Sequence, residues 1–420
     1  MTARGFTRAG LEALDASMAR LVSLGEVPGV VSLIAHGDGV HVTVAGRAGS
    51  GEAAMPMRRD SIFRIASMSK PITGVAAMLL VQDGSMSLDD PVERWLPELA
   101  DRRVLRALDA GLDDTVPAAR PITVEDVLSF RFGFGCIMTP GSYPVAEAET
   151  LLGLKTLGPP WPPATLTQDE WIAALGSLPL LDQPGARWRY NTGATVAGIL
   201  VSRVAAAPLA EVLASRVFEP LGMADTGFFV PAAKRDRFTS MYAPEGRAGG
   251  DGKGIEEELS LTDPPDGWYA APPALPDGAS WLVSTIDDLW AFASMLDRAR
   301  LGARGEVLSP ESAAVMLRDR TTARDKAENP WFFGSDGGSG WGLMMSVPAP
   351  GASGTAASGN HGGAPRGYGW EGGSGTAWRT DPATGLTGIL LTQRMMTSPE
   401  PPQVARDFWA AAYGALAAVR

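Results

Sequence analysis

The chain has 420 residues, 45% of them hydrophobic and 20% charged, with 36 basic against 47 acidic side chains and a net charge of −11. That length suits one large domain or two closely packed ones. The acidic balance argues against nucleic acid and against an anionic membrane surface, because both attract clustered positive charge. The single cysteine, Cys136, excludes an intrachain disulfide, and three histidines without metal-ligand spacing predict no metal and no cofactor.

The N-terminal stretch mixes arginines and acids with Phe6, Leu11, Leu14, Met18 and Leu21, the spacing of an amphipathic helix. It lacks the unbroken apolar run and the cleavage site of a signal peptide, and no segment carries 18 consecutive apolar residues. The cytoplasm is therefore the expected compartment. VVSLIAHGDGVHVTVAGRA reads as two strands joined at Asp38-Gly39, with Val40, Val42 and Val44 alternating and with His36 and His41 as sheet residues. In SIFRIASMSKPITGVAAMLL, the positions of Ile72, Val75, Ala76, Leu79 and Leu80 predict a helix from near Ser67, stopped by Asp83-Gly84, with Pro71 in its first turn.

Residues 61–230 read as mostly helical, for example Thr123–Leu128, Gln168–Leu175 and Thr192–Ala205, with an ordered loop or lid over 141–167. Residues 231–280 read as long loops. A short strand, a cap at Ser284 or Thr285 and a helix follow. After a loop over 321–340 come a strand-like run over 341–347 and a second loop over 348–365. Three further strands, RGYGWEG, TAWRTD and LTGILLTQ, are expected to be half-buried through Trp378, Leu386, Ile389 and Leu391, and a helix ends the chain. This order gives a mixed α and β layer built from 1–70 and 275–420. A mainly helical part, 71–274, is inserted, and the site lies between them.

The chemistry concentrates at Ser67-Met68-Ser69-Lys70. Residues three apart share a helix face, so the Lys70 amine reaches the Ser67 hydroxyl, and the helix N-terminus adds a positive field and free N–H groups. These supply a nucleophile, a base and oxyanion donors for acyl transfer. A second proton carrier is offered by Tyr190, just before the helix that begins near Thr192. Cys136 reads as a small, partly buried residue.

The phrase FRIASMSKPIT resembles the serine β-lactamase and penicillin-binding-protein superfamily, and is most similar to class C β-lactamases and family VIII carboxylesterases, over about residues 10–415. The resemblance implies an α/β fold of the β-lactamase/transpeptidase type: an antiparallel sheet flanked by the N- and C-terminal helices, with the helical insertion. It implies Tyr190 as general base or acid, its pKa lowered by a Lys70 ammonium; a neutral Lys70 is the alternative base. At the third position of the tyrosine motif stands Thr192 where the lactamases carry Asn, with Asn191 one residue away. Trp370-Glu371-Gly372 resembles the W-x-G variant of the K-T-G strand, and the Gly373 N–H pairs with that of Ser67 as the oxyanion hole. Tryptophan in place of lysine replaces a carboxylate-binding cation by a flat apolar surface suited to uncharged groups. Arg366 and Arg379 are read as surface strand residues, although either is a candidate for the missing charge.

A G-x-S-x-G elbow is absent; the nearest run is Gly372-Gly373-Ser374-Gly375, with His361 as the candidate histidine. The expectation is a hydrolase of short-chain carboxylic esters working through a Ser67 acyl-enzyme on a small-molecule ester. The alternatives are a β-lactamase or D-amino-acid peptidase/amidase using the same residues, an acyltransferase, and a catalytically silent relative. The oligomeric state is not legible.

Overall fold

Residues 29–46 form a hairpin, β1 (Gly29–His36) and β2 (Gly39–Gly46). It joins strands from the far end of the chain, β3 (Ser339–Trp341), β4 (Ser346–Pro348), β5 (Tyr368–Gly372), β6 (Thr376–Asp381) and β7 (Leu386–Thr392). The seven strands form one antiparallel sheet in the order β2-β1-β7-β6-β5-β4-β3. The computed structural model describes residues 5–51, 54–154, 163–248, 255–351, 367–398 and 401–417.

One face of the sheet is covered by the helices at the two ends of the chain. Thr7 caps α1 (Arg8–Ser23) by accepting from the Gly10 N–H, and Leu11, Leu14, Met18 and Leu21 form its buried stripe. That stripe packs with Val30, Ile34, Leu386, Leu390, Phe408 and Trp409. Each such side chain contributes about 1.5–3 kcal/mol on burial. The other face carries Val31, Leu33, Ile389 and Leu391 in the larger core cluster. Strands β6 and β7 are therefore buried on both faces, not half-buried as their sequence pattern predicts. Covering both faces of a strand removes the usual alternation of polar residues.

The helical insertion contributes α2 (Ser69–Gln82) and α3 (Thr192–Ala205), which pack on each other. Thr285 caps α4 (Ile286–Arg300), which lies against the sheet, and α5 (Gln403–Gly414) ends the fold.

Four local expectations are corrected. Residues within 231–280 include an antiparallel pair, Met241–Ala248 with Ile255–Asp263, where only loops are expected. The run over 341–347 is not one strand, because Met344 takes φ 70 and turns β3 back into β4. The mostly helical region also holds a small pair, Arg103–Leu105 with Thr115–Pro117, and the expected lid contains a helix, Pro144–Leu151. His361 and Arg366 lie outside the described residues. Among the described residues no single helix is long and apolar enough to cross a membrane.

Candidate active site

The chain reaches Ser67 through a tightly held turn. Phe63–Arg64 pairs with Val283–Ser284, and the Ile65 N–H donates to the Leu282 carbonyl at 3.0 Å. A 3-10 turn, Ala66–Met68, then leads into α2, so the α-helix itself begins two residues after Ser67. Ala66 sits at φ 41, a left-handed conformation that costs a residue with a Cβ about 1–2 kcal/mol. Neighbouring hydroxyls hold this shape: Ser69 Oγ donates to Ala66 O at 2.7 Å and accepts from the Leu282 N–H at 3.1 Å.

The Gly-rich turn after β5 grips the same segment. Ser374 Oγ donates to Arg64 O at 2.6 Å, and Thr376 Oγ1 donates to Ile65 O at 3.2 Å. A Cβ on Gly372 would lie 2.3 Å from Ile65 O, so only glycine lets β5 come this close. Gly373 opens the turn, immediately beyond the strand that packs on the Ala66–Met68 segment.

Three side chains converge. Lys70 Nζ donates to Ser67 Oγ at 2.9 Å, and Tyr190 OH donates to the same oxygen at 3.1 Å. Ser67 is partly exposed, whereas Lys70 is fully buried. The Lys70 amine also donates to Ala279 O at 3.0 Å and lies 4.8 Å from the Tyr190 ring centroid. Burial pulls the Lys70 pKa down to about 7, opposed mainly by the charge of Asp277. At that value the amine is available as a base near neutrality.

Burial acts on Tyr190 in the opposite sense to the sequence expectation. The phenol is raised above its ordinary value, with the bonds to Ser67 and Trp370 opposing the rise. Removing a group from water disfavours its charged form, and here that outweighs any help from the lysine. Tyr190 therefore keeps its proton near neutrality, where Lys70 passes between its charged and neutral forms. The buried Cys136 thiol is pushed up to about 12 by desolvation and stays protonated, in keeping with a small buried residue.

Tyr190 is held from both sides. Its carbonyl accepts from the Cys136 N–H at 3.0 Å, and the next residue, Asn191, takes φ 78 to turn the chain into α3. With ψ −63 this is the rare, strained γ-turn region and not the left-handed helical one. Asn191 and Thr192 are both buried, and the Thr192 hydroxyl has no hydrogen-bond partner among the described residues.

Trp370 is not an open apolar surface. It is 6% exposed, packs edge-on against Trp341 at 4.7 Å, and its indole Nε1–H donates to Tyr190 OH at 2.8 Å. Part-exposed aromatic surface is offered instead by Phe332 and by Tyr190 itself, which stack on each other at 4.7 Å. Nor is Arg379 a surface residue: it is 7% exposed and forms a bidentate pair with Glu371, both contacts at 2.8 Å.

Sequence reading missed Phe332, Ala279, Asp277, Ser374 and Thr376. The last two stand inside the same Gly-rich run, two and four residues past Gly372, and their hydroxyls were the available signal. Ala279 acts through its backbone carbonyl, which no side-chain pattern reveals.

A two-faced antiparallel sheet, an inserted helical region, and a serine, lysine and tyrosine within hydrogen-bonding reach define a serine enzyme of the β-lactamase/transpeptidase type. The Beta-lactamase family model matches residues 14–412, and the chain belongs to that family. Protein Rv1367c of Mycobacterium tuberculosis is 37% identical over 81% of this chain and 80% of its own length. Esterase EstB of Burkholderia gladioli is 32% identical over 90% of this chain and 89% of its own. Among solved structures, EstCE1, a hydrolase with promiscuous acyltransferase activity, has the same fold, with a TM-score of 0.72 at 24% identity over 96% of this chain and 99% of that one. The protein is thus an enzyme of the serine hydrolase superfamily.

Proposed function

We propose that this enzyme is a carboxylesterase that cleaves short-chain esters of uncharged acyl groups through a Ser67 acyl-enzyme. The observation that carries the reading is the double contact on Ser67 Oγ, from a lysine that titrates near neutrality and from a tyrosine that does not. In acylation the Ser67 proton moves to the neutral Lys70 amine as Oγ bonds to the ester carbonyl carbon. The oxyanion is received by the N–H groups of Ser67 and Gly373. Collapse breaks the carbon–alkoxy bond, the leaving oxygen takes the Tyr190 proton, and the Lys70 ammonium returns one to Tyr190. Water then enters by the reverse relay and releases the acid, restoring Ser67. The Trp370 N–H steadies the phenol oxygen while it is short of a proton.

The preference for uncharged acyl groups rests on the cations. Trp370 stands at the strand position where the lactamases carry lysine, and Arg379 is engaged by Glu371. EstB, 32% identical, is an esterase, which agrees with an ester substrate. A second reading, acyl transfer to an alcohol in place of water, uses the same atoms, and EstCE1, alike in fold, is a hydrolase that also has promiscuous acyltransferase activity.

The test is a parallel assay of p-nitrophenyl esters and a chromogenic cephalosporin, with acyl-enzyme trapping by mass spectrometry. Ester turnover with an acyl increment on the Ser67 peptide, abolished in Ser67→Ala, is expected. Ester turnover that survives Ser67→Ala, or cephalosporin hydrolysis that outruns the esters, would overturn it. Adding a short alcohol at fixed ester concentration measures the transfer reading as the alcohol ester formed.

A further inference from the structure

We propose that Asp277, a buried acid outside the Ser67–Lys70–Tyr190 set, is a positioning residue for Lys70. It fixes the 277–281 loop that receives the amine, and it supplies the buried countercharge for the ammonium formed when Lys70 takes the Ser67 proton. The inference rests on the acyl-enzyme reading above and adds the group that keeps the base in place and basic.

The geometry is a clamp. Asp277 is 8% exposed. Its Oδ1 accepts from Thr195 Oγ1 at 2.8 Å and from the Ala279 N–H at 3.0 Å, and its Oδ2 accepts from Ser280 Oγ at 3.0 Å. Thr195 belongs to α3, the helix that follows Tyr190. The loop so held presents two carbonyls to α2: Ala279 O accepts from Lys70 Nζ at 3.0 Å, and Gly278 O accepts from Thr73 Oγ1 at 2.8 Å. A Cβ on Gly278 would meet the Thr73 side chain at 2.9 Å, so the loop runs close against that side chain. One carboxylate therefore ties the helix bearing the base to the helix following the tyrosine.

The charge argument follows from what faces Lys70. Its amine contacts the Ser67 hydroxyl and the Tyr190 ring, meets Asp277 through Ala279, and feels the charges of Asp277 and Cys136. The phenol and the thiol are held neutral by burial, which leaves Asp277 as the anion among them. Neutral donors, two hydroxyls and one N–H, stabilise that anion without cancelling it. When the Oγ–H bond breaks and the Nζ–H bond forms, positive charge appears on a fully buried nitrogen. A fixed negative charge nearby lowers the cost of that step, and the Ala279 carbonyl gives the new N–H an acceptor.

Asp277→Asn separates charge from scaffold. The amide oxygen still accepts from Thr195 and Ala279, and the amide NH2 donates to Ser280. The acid limb of the kcat/KM profile is then expected to move down by about one pH unit, the size typical of losing one nearby opposite charge. The plateau is expected to fall roughly threefold to tenfold, because a less basic amine is a weaker proton acceptor. The amine can also be read without turnover. Lys70 is one of five lysines in the chain, so its 15N side-chain resonance, assigned with Lys70→Met, gives its titration directly. Near 7 in the wild type, it is expected about one unit lower in Asp277→Asn.

An unmoved Lys70 titration and acid limb in a folded Asp277→Asn would overturn the proposal. Thr195→Val covers the case in which that variant does not fold. It keeps the charge and removes one tie, so kcat is expected to fall with the limb in place; a limb that moves down in this variant would overturn the charge argument. Failure of the acyl-enzyme reading looks different: the wild-type acid limb would not follow the Lys70 titration, or Ser67→Ala would keep its activity, whatever Asp277→Asn does.

Discussion

Trp370→Phe removes one hydrogen bond. Phenylalanine keeps one aromatic ring near Trp341 and Phe332 and loses the second ring of the indole together with the N–H that donates to Tyr190 OH at 2.8 Å. In the ground state that oxygen is a neutral phenol, and burial keeps it so. In the proposed step that protonates the leaving alcohol it becomes transiently anionic, and the lost bond is then one to a charged acceptor, worth about 1.5–3 kcal/mol. At about 1.4 kcal/mol per factor of ten, kcat is expected to fall roughly 10- to 150-fold. Because the indole touches Tyr190 and the effect arises in the transition state, kcat and kcat/KM should fall together. The acid limb set by Lys70 should not move. The assay is steady-state hydrolysis of p-nitrophenyl butyrate from pH 5 to 9, with a melting curve to confirm folding. A folded Trp370→Phe that keeps kcat within twofold would refute the reasoning, because the phenol would then need no donor.

Three further predictions concern the base and the strand. With Lys70 at about 7, kcat/KM should rise tenfold per pH unit below that value and level off above it; a profile flat from pH 5 to 9 would remove Lys70 as the base. The same depressed pKa affects stability. Above about 7 the native lysine is neutral while the unfolded one stays charged to its ordinary pKa of 10.5, so the unfolded state binds more protons and stability rises with pH. That contribution is at most about 1.4 kcal/mol per pH unit. Urea unfolding between pH 7 and about 9.5 should show it in the wild type and not in Lys70→Met, which should also be the more stable protein at pH 7. Gly372→Ala places a Cβ 2.3 Å from Ile65 O and must push β5 off the nucleophile turn. A loss of about 1–3 kcal/mol in stability and a larger loss in kcat are expected, and unchanged kinetics would mean that the close approach has no role.

Much of the site was legible because its chemistry is carried by residue type and spacing. Ser67 and Lys70 sit three apart at a helix start, and Tyr190 precedes an apolar helix; all three meet at one oxygen. The direction of the tyrosine shift was not legible, because it depends on how deeply the phenol is enclosed, which is a property of packing. Trp370 was found but assigned a surface role, since sequence shows a large apolar ring and not the partner of its N–H. The sheet shows the same division. The strands over 368–392 follow their β-branched and aromatic runs, whereas Met344, at positive φ, breaks an apolar run that nothing local marks as a turn. The pair over 241–263 was hidden by its polar, Gly-rich sequence, and the end of its second strand is tied to the rest of the fold by the buried ion pair between Arg64 and Asp263.

The pairing of β1 with β7 sets Val30 opposite Thr392. On a ribosome the strand GVVSLIAH emerges early and must wait for nearly the whole chain before its second neighbour is made. During that interval a long, uncharged, β-prone edge stands open to other nascent copies, and contacts this distant in sequence form slowly. Soluble yield should therefore depend on synthesis temperature and on holdase chaperones more steeply than the stability of the finished enzyme would suggest.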